Sequence, residues 1–180
     1  MGLECSGVVI ELGEGVSSFA VGDEVCALLA GGGYAEEVVV PAGQVLPVPK
    51  GLDLAAAAAL PEVFATAYLN LYMEAALAPT EHVIVHAGAS GVGTAALQML
   101  KQTSNPSFVT VGSQSKLEDC MALGAQAGAV RHEGSFLPAA QQWLVDAKAS
   151  GVDVILDPVG GQYLQDNLTV LGLSGRLVLI

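Results

Sequence analysis

Residues 82–94, "HVIVHAGASGVGT", decide how the rest of the chain is read. A run of β-branched residues, Val83-Ile84-Val85, stops at a turn holding Gly88, Gly91 and Gly93. Such a run favours a strand. The segment after it, 91–102, carries Leu97, Met99 and Leu100 and reads as a helix. A strand, a glycine turn and a helix in that order have a physical use. Glycines let the backbone turn sharply and approach a pyrophosphate closely. The helix N-terminus then presents unpaired N–H groups and a partial positive charge to the anion. Gly88-Ala89-Ser90-Gly91-Val92-Gly93 fits G-x-G-x-x-G except at Ser90, which replaces the middle glycine. The blander reading is a tight turn that binds nothing. The strand before it and the helix after it favour binding.

The same alternation continues downstream. Strands are expected at residues 108–111, 127–130, 152–156 and 176–180, with helices near 116–123, 136–149 and 162–171. Apolar strands alternating with helices predict an α/β fold, a doubly wound parallel sheet. Upstream the texture differs. Residues 1–50 hold short β-like runs between glycine turns, with Val8-Val9-Ile10 and Val38-Val39-Val40 as strand formers, and read as an antiparallel β segment. From about Leu52 the pattern turns helical. The chain begins in a glycine-rich β stretch and stops inside an apolar strand. It therefore reads as a fragment of a longer enzyme, expected to be inactive on its own.

Composition narrows the function. Of 180 residues, 52% are hydrophobic and 13% charged, which suits a folded core. The formal net charge is −12, with only six Lys plus Arg. Such a chain repels nucleic acid and anionic lipid, so neither partner is expected. No run of 18 uninterrupted apolar residues exists, and "LAAAAALPEVFATAYLNLY" is broken by Pro61, Glu62 and Asn70. No membrane span and no signal peptide are read. Cys5, Cys26 and Cys120 have no metal-site spacing; they read as reduced thiols in a cytoplasmic protein.

The end of the second strand bears on the cofactor. NAD sites usually place an acid there, ~20 residues after the glycines, to accept from the ribose hydroxyls. Here no Asp or Glu occurs between Glu81 and Glu118, and the strand ends "VGSQSK". Gly112 leaves space, Ser113 a hydroxyl and Lys116 a charge, a combination that favours a 2′-phosphate. Lys116 could instead merely decorate a helix start, where a cation is slightly unfavourable. Arg131 follows the third strand, adjacent in such a sheet, and either contacts the phosphate or points to solvent.

At this point the chain resembles a family, the medium-chain dehydrogenases/reductases, and within it the zinc-free quinone oxidoreductases. "GLECSGVVIELGEGVSSFAVGDEV", "GGGYAEEVVVP", "LPEVFATAY", "HAGASGVGTAALQ", "GSQSKLE" and "LGA" follow in the family's order. The resemblance implies part of a GroES-like β domain over residues 1–60, then a Rossmann domain over 61–180, with the active site in the cleft between them. It implies NADPH as cofactor. The cofactor-binding residues would be Thr66, Ser90, Gly91, Val92, Gly112, Ser113, Lys116 and Arg131. Thr66 matches a threonine that packs near the nicotinamide ribose, or its hydroxyl bonds its own helix. Arg131 stands where relatives often have tyrosine. Tyr34 could stack on a substrate, though packing is the simpler role.

No metal is expected. The zinc enzymes read Gly-His-Glu where this chain has Gly2-Leu3-Glu4, and Glu62 stands at a second metal position. His82, His86 and His132 form no substitute set, and His86 reads as a hydrogen-bonded structural residue. Asp157-Pro158 reads as the cap and first turn of the next helix. No catalytic acid or base is identified. The implied activity is NADPH-dependent hydride transfer to a small-molecule substrate, a quinone. Alternatives are reduction of an activated alkene (an enal or enone), an inert crystallin-like nucleotide-binding protein, or a structural product that binds nothing. A homodimer is expected for the full-length protein.

Overall fold

The computed structural model describes residues 1–131 and 134–180. Its contacts divide into two units, Met1–Ala65 and Thr66–Ile180. In the first, β1 (Glu4–Val8), β2 (Glu24–Leu28) and β3 (Val45–Pro47) form an antiparallel sheet in that order. The ladder pairs Val8 with Glu24 and Val25 with Pro47. β1 therefore lies nearer the N-terminus than the Val8-Val9-Ile10 run suggests. The expected strand at residues 38–40 does not form, and Val39 is fully exposed. β propensity makes a backbone extended, but a strand also needs a partner. Among the described residues nothing pairs with this run.

A short helix, α1 (Leu54–Ala57), follows, with the Asp53 carboxylate accepting from Ala56 N–H at 2.7 Å. α2 (Pro61–Tyr68) starts on proline, whose missing N–H costs nothing at that position. It runs into a π-helical turn, Leu69–Glu74. Over Leu54–Glu74 the chain has the length and hydropathy of a membrane-crossing helix. Length and composition alone do not make a span, and a helix of a soluble core can share both. Here the stretch is interrupted between α1 and α2 and carries Glu62 and Glu74.

The second unit is a five-stranded, wholly parallel sheet. Its strands are β4 (Val83–Val85), β5 (Ser107–Val111), β6 (Ala127–Val130), β7 (Val152–Asp157) and β8 (Leu171–Leu179). Between them run α3 (Gly91–Gln102), α4 (Gln114–Leu123), α5 (Leu137–Ala147) and α6 (Leu164–Val170). The spatial order is β6-β5-β4-β7-β8, so the fold is the doubly wound α/β sheet expected, preceded by an antiparallel β part. β4 and β5 are buried along their whole length. Ile84, Phe108 and Ile155 from three adjacent strands pack with Phe136, Trp143 and Leu144 of the α5 region. Fully burying each such side chain contributes about 1.5–3 kcal/mol.

Several boundaries differ by one or more residues, and two of them have a clear local cause. α5 stops at Ala147, because Lys148 turns left-handed (φ 57°). β8 begins at Leu171, directly after α6, rather than at Arg176. Val152 pairs with Leu171 but Val154 with Arg176, so β8 bulges between, with Ser174 at φ 64°. A local hydrophobic count starts the strand after the bulge and misses the paired residue before it. Beyond the bulge, Arg176 donates to Ala75 O at 2.9 Å and clamps both Glu81 oxygens, at 2.9 and 2.6 Å. This ties β8 to the end of the π-helical turn.

Candidate functional site

The strand order reverses direction at β4 and β7: β5 and β6 lie on one side, β8 on the other. In such sheets the carboxyl ends of the strands splay at this point and leave a crevice for ligands. Here the crevice is a pocket of about 230 Å³. Ala87, Ala89 and Ser90 enter it from the end of β4, and Thr110, Val111 and Gly112 from β5. Lys116 comes from α4, Arg131 from the end of β6, and Val159, Gln162 and Tyr163 from the segment after β7.

The glycine turn is built for close approach. A Cβ on Gly93 would lie 2.6 Å from Gly88 O, and one on Gly88 would lie 2.8 Å from Val109 Cβ. Both glycines thus press α3 and its turn against the sheet. Ser90, the departure from the glycine pattern, caps α3: its Oγ accepts from Gly93 N–H at 3.1 Å. The N–H groups of Gly91 and Val92 belong to the first helical turn, where no earlier carbonyl of the helix can reach them. They are what an anion would meet, at the positive end of the helix dipole.

Of the residues singled out from sequence, the fold brings Ser90, Gly112, Lys116 and Arg131 into one lining. Gly91 and Val92 follow Ser90 directly. Ser113 caps α4, its hydroxyl accepting from Lys116 N–H at 3.4 Å. The Arg131 guanidinium lies over Gly112, with Nε 3.7 Å from where a Cβ would stand. A Cβ at 112 would thus meet the guanidinium in ordinary van der Waals contact. Thr66 is not in this lining; it sits in α2, its carbonyl accepting from Asn70 Nδ2 at 2.8 Å. Two of the chain's six cations thus converge on one pocket of a chain with net charge −12. Helix N–H groups and two cations suit a multiply charged phosphate ligand.

Sequence reading missed the far wall, Val159, Gln162 and Tyr163, and the buried polar chain behind it. His86 Nδ1 lies 2.9 Å from Thr110 Oγ1, and its Nε2 lies 2.7 Å from Asn167 Oδ1. Asn167 Nδ2 donates to Asp157 Oδ2 at 2.9 Å. All four side chains are buried. His86 is therefore structural, as its strand-end position suggests, and burial pushes its pKa below the ordinary value. Asp157 does not cap α6, which begins seven residues later. Its Oδ1 accepts instead from Val159 and Gly160 N–H, at 2.8 and 2.9 Å, and so closes the turn that follows β7.

Among the described residues, no three His, Cys, Asp or Glu side chains converge as metal ligands. Glu4 accepts from Glu62 N–H at 2.9 Å, which makes it a helix-start partner. His132 lies outside the described residues.

A family model for the zinc-binding dehydrogenases matches residues 91–180, and one for the alcohol dehydrogenase GroES-like domain matches residues 1–50. The chain belongs to the medium-chain dehydrogenases/reductases. Membership places the second unit in a superfamily of oxidoreductases. Lovastatin diketide synthase of Aspergillus terreus is 37% identical over 185 residues, covering 99% of this chain and 7% of that protein. The CurK enoyl reductase structure superposes with a TM-score of 0.86 at 35% identity, over 98% of this chain and 52% of that one. The Escherichia coli quinone oxidoreductase complexed with NADPH superposes with a TM-score of 0.84 at 26% identity, over 98% of this chain and 54% of that one. The chain thus spans about half the length of these solved structures and a small part of the synthase.

Proposed function

We propose that this chain supplies the NADPH-binding part of an oxidoreductase that reduces an activated alkene, such as an enoyl thioester or enone. The observation that carries the cofactor reading is the convergence of Lys116 and Arg131 beside the glycine turn. Gly91 and Val92 N–H groups hold the pyrophosphate, and the two cations hold the 2′-phosphate. Gly112 leaves room for it, and Ser113 supplies a hydroxyl close by. Thr66 orients the nicotinamide ribose. NADPH supplies hydride, and the protein supplies binding and orientation. Leu3 and Glu62 at the metal positions support a zinc-independent reaction. Free Cys5, Cys26 and Cys120 support a cytoplasmic location.

The similarity to a polyketide synthase and to an enoyl reductase puts the alkene ahead of the quinone as substrate. The quinone remains a second reading, supported by the quinone oxidoreductase neighbours. A steady-state screen of the full-length protein with enoyl thioesters, enals and quinones separates the two.

Calorimetry tests the cofactor. Each charge-assisted bond contributes about 1.5–3 kcal/mol, or roughly ten- to hundredfold in affinity. NADPH is expected to bind well over tenfold tighter than NADH. Lys116→Ala and Arg131→Ala should each erode that preference and leave NADH binding nearly unchanged. Equal affinity for both cofactors in the wild type removes the assignment.

A further inference from the structure

The pocket's far wall belongs to one short segment, residues 158–163, which has little core of its own: Val159, Gly161 and Gln162 are all exposed. Its hydrophobic anchor is Tyr163, packed against the core beside Phe136, and the exposed residues before it need a further hold. Its backbone is pinned at both ends by the same polar chain. Asp157 Oδ1 takes the Val159 and Gly160 N–H groups. Gly160 O accepts from Tyr163 N–H at 2.9 Å, and Tyr163 O accepts from Asn167 N–H at 2.8 Å. The Asn167 side chain then returns to Asp157 and to His86. The His86 ring also stacks against Tyr163, centroids 4.4 Å apart, and meets Phe136 edge-on at 5.0 Å.

The direction of every bond in this chain follows from one acceptor. A carboxylate only accepts, so the Asn167 amide nitrogen must face Asp157 and its oxygen must face His86. His86 Nε2 is therefore the donor. In the neutral ring Nδ1 is then the acceptor, and the Thr110 hydroxyl donates to it. The order is Thr110 O–H to His86 Nδ1, His86 Nε2–H to Asn167 Oδ1, and Asn167 Nδ2–H to Asp157 Oδ2. Burial favours the neutral ring that this order requires. We infer that His86, held as the Nε2–H tautomer between Thr110 and Asn167, is a positioning residue that fixes residues 158–163 as the wall of the nucleotide pocket.

The binding half of this inference rests on the nucleotide reading above; the ordering half does not. Both are read in the full chain. His86→Leu leaves Asn167 Oδ1 and Thr110 Oγ1 buried and unpaired, so the wall opens more often. Val159 and Gly160 amides should exchange with solvent roughly tenfold faster, while amides of β5 keep their rates. NADPH should bind roughly tenfold more weakly, through the same loss. His86→Gln puts an amide donor near the Nε2 position and should restore exchange and binding to within about threefold of wild type. Ring nitrogen shifts by NMR should show the neutral Nε2–H form in the wild type. If His86→Leu does not fold, Thr110→Val, which removes the hydroxyl and keeps the shape, should raise exchange at the same two amides. Unchanged exchange at Val159 and Gly160, a Gln variant as impaired as Leu, or an Nδ1–H ring would each overturn the inference. Variants that show this exchange pattern, with a wild type that binds no NADPH, would uphold the ordering and overturn the nucleotide reading instead.

Discussion

Gly93→Ala tests whether the glycine turn is a matter of sequence pattern or of contact. Gly93 is helical, so by local propensity alone alanine should stabilise α3 by about 1 kcal/mol. The tertiary contact opposes this. The new Cβ would stand 2.6 Å from Gly88 O and 2.7 Å from Ala87 O. Both neighbours are backbone atoms, and both are held: Ala87 O accepts from Ser90 N–H at 2.8 Å, and Gly88 N–H donates to Thr110 O at 3.0 Å. Relief requires α3 to move away from β4 by about 0.8 Å, which loosens the packing of its buried face, Ala95, Ala96, Leu97 and Leu100. Overpacking of this kind costs up to about 3 kcal/mol, so the net effect should be a loss of about 2 kcal/mol. In urea the midpoint should fall by about 1 M with an unchanged slope. Gly161→Ala is the control within the same unit: it has open space around it and should stay within about 0.5 kcal/mol of wild type. A Gly93→Ala midpoint at or above wild type would show that the close approach is not real.

Three further outcomes follow from single groups. The Arg176 hydrogen bonds hold the Glu81 carboxyl below its usual range, so the stability they contribute is present above the unfolded carboxylate value, about 4.3, and is lost as pH falls through the lower folded value; Glu81→Gln should flatten that acid limb in urea melts, and an unchanged limb would refute the coupling. Burial lowers the His86 pKa, so its contribution is complete above about 6.5 and is lost as pH drops below it; His86→Gln should remove part of the stability difference between pH 7.5 and 5.5, and an equal difference in the variant would count against it. Ser107 Oγ is buried without a hydrogen-bond partner among the described residues, so Ser107→Ala should be neutral or stabilising by up to about 1 kcal/mol, and a clear loss in thermal unfolding would reveal a partner.

Local reading carried furthest where one element explains itself. The run 83–85, the turn and α3 were legible because strand and helix periods meet at glycines within a dozen residues. Lys116 was legible through scarcity: a cation stands where an acid would serve NAD. The five parallel strands followed from their alternation with helices. Pairing was not legible. Residues 38–40 have the composition of a strand but no neighbour to bond, while Leu171 joins β8 only because Val152 lies beside it. The pocket's far wall was hidden for the same reason. His86 and Asn167 are 81 positions apart, and their contact exists because β7 lies next to β4 and α6 packs beyond it. Short-range preference, written residue by residue, determined the elements, the glycine turn and the cations beside it. The order of strands, which depends on what each buried face can pack against, decided which of those residues meet and what holds the pocket open.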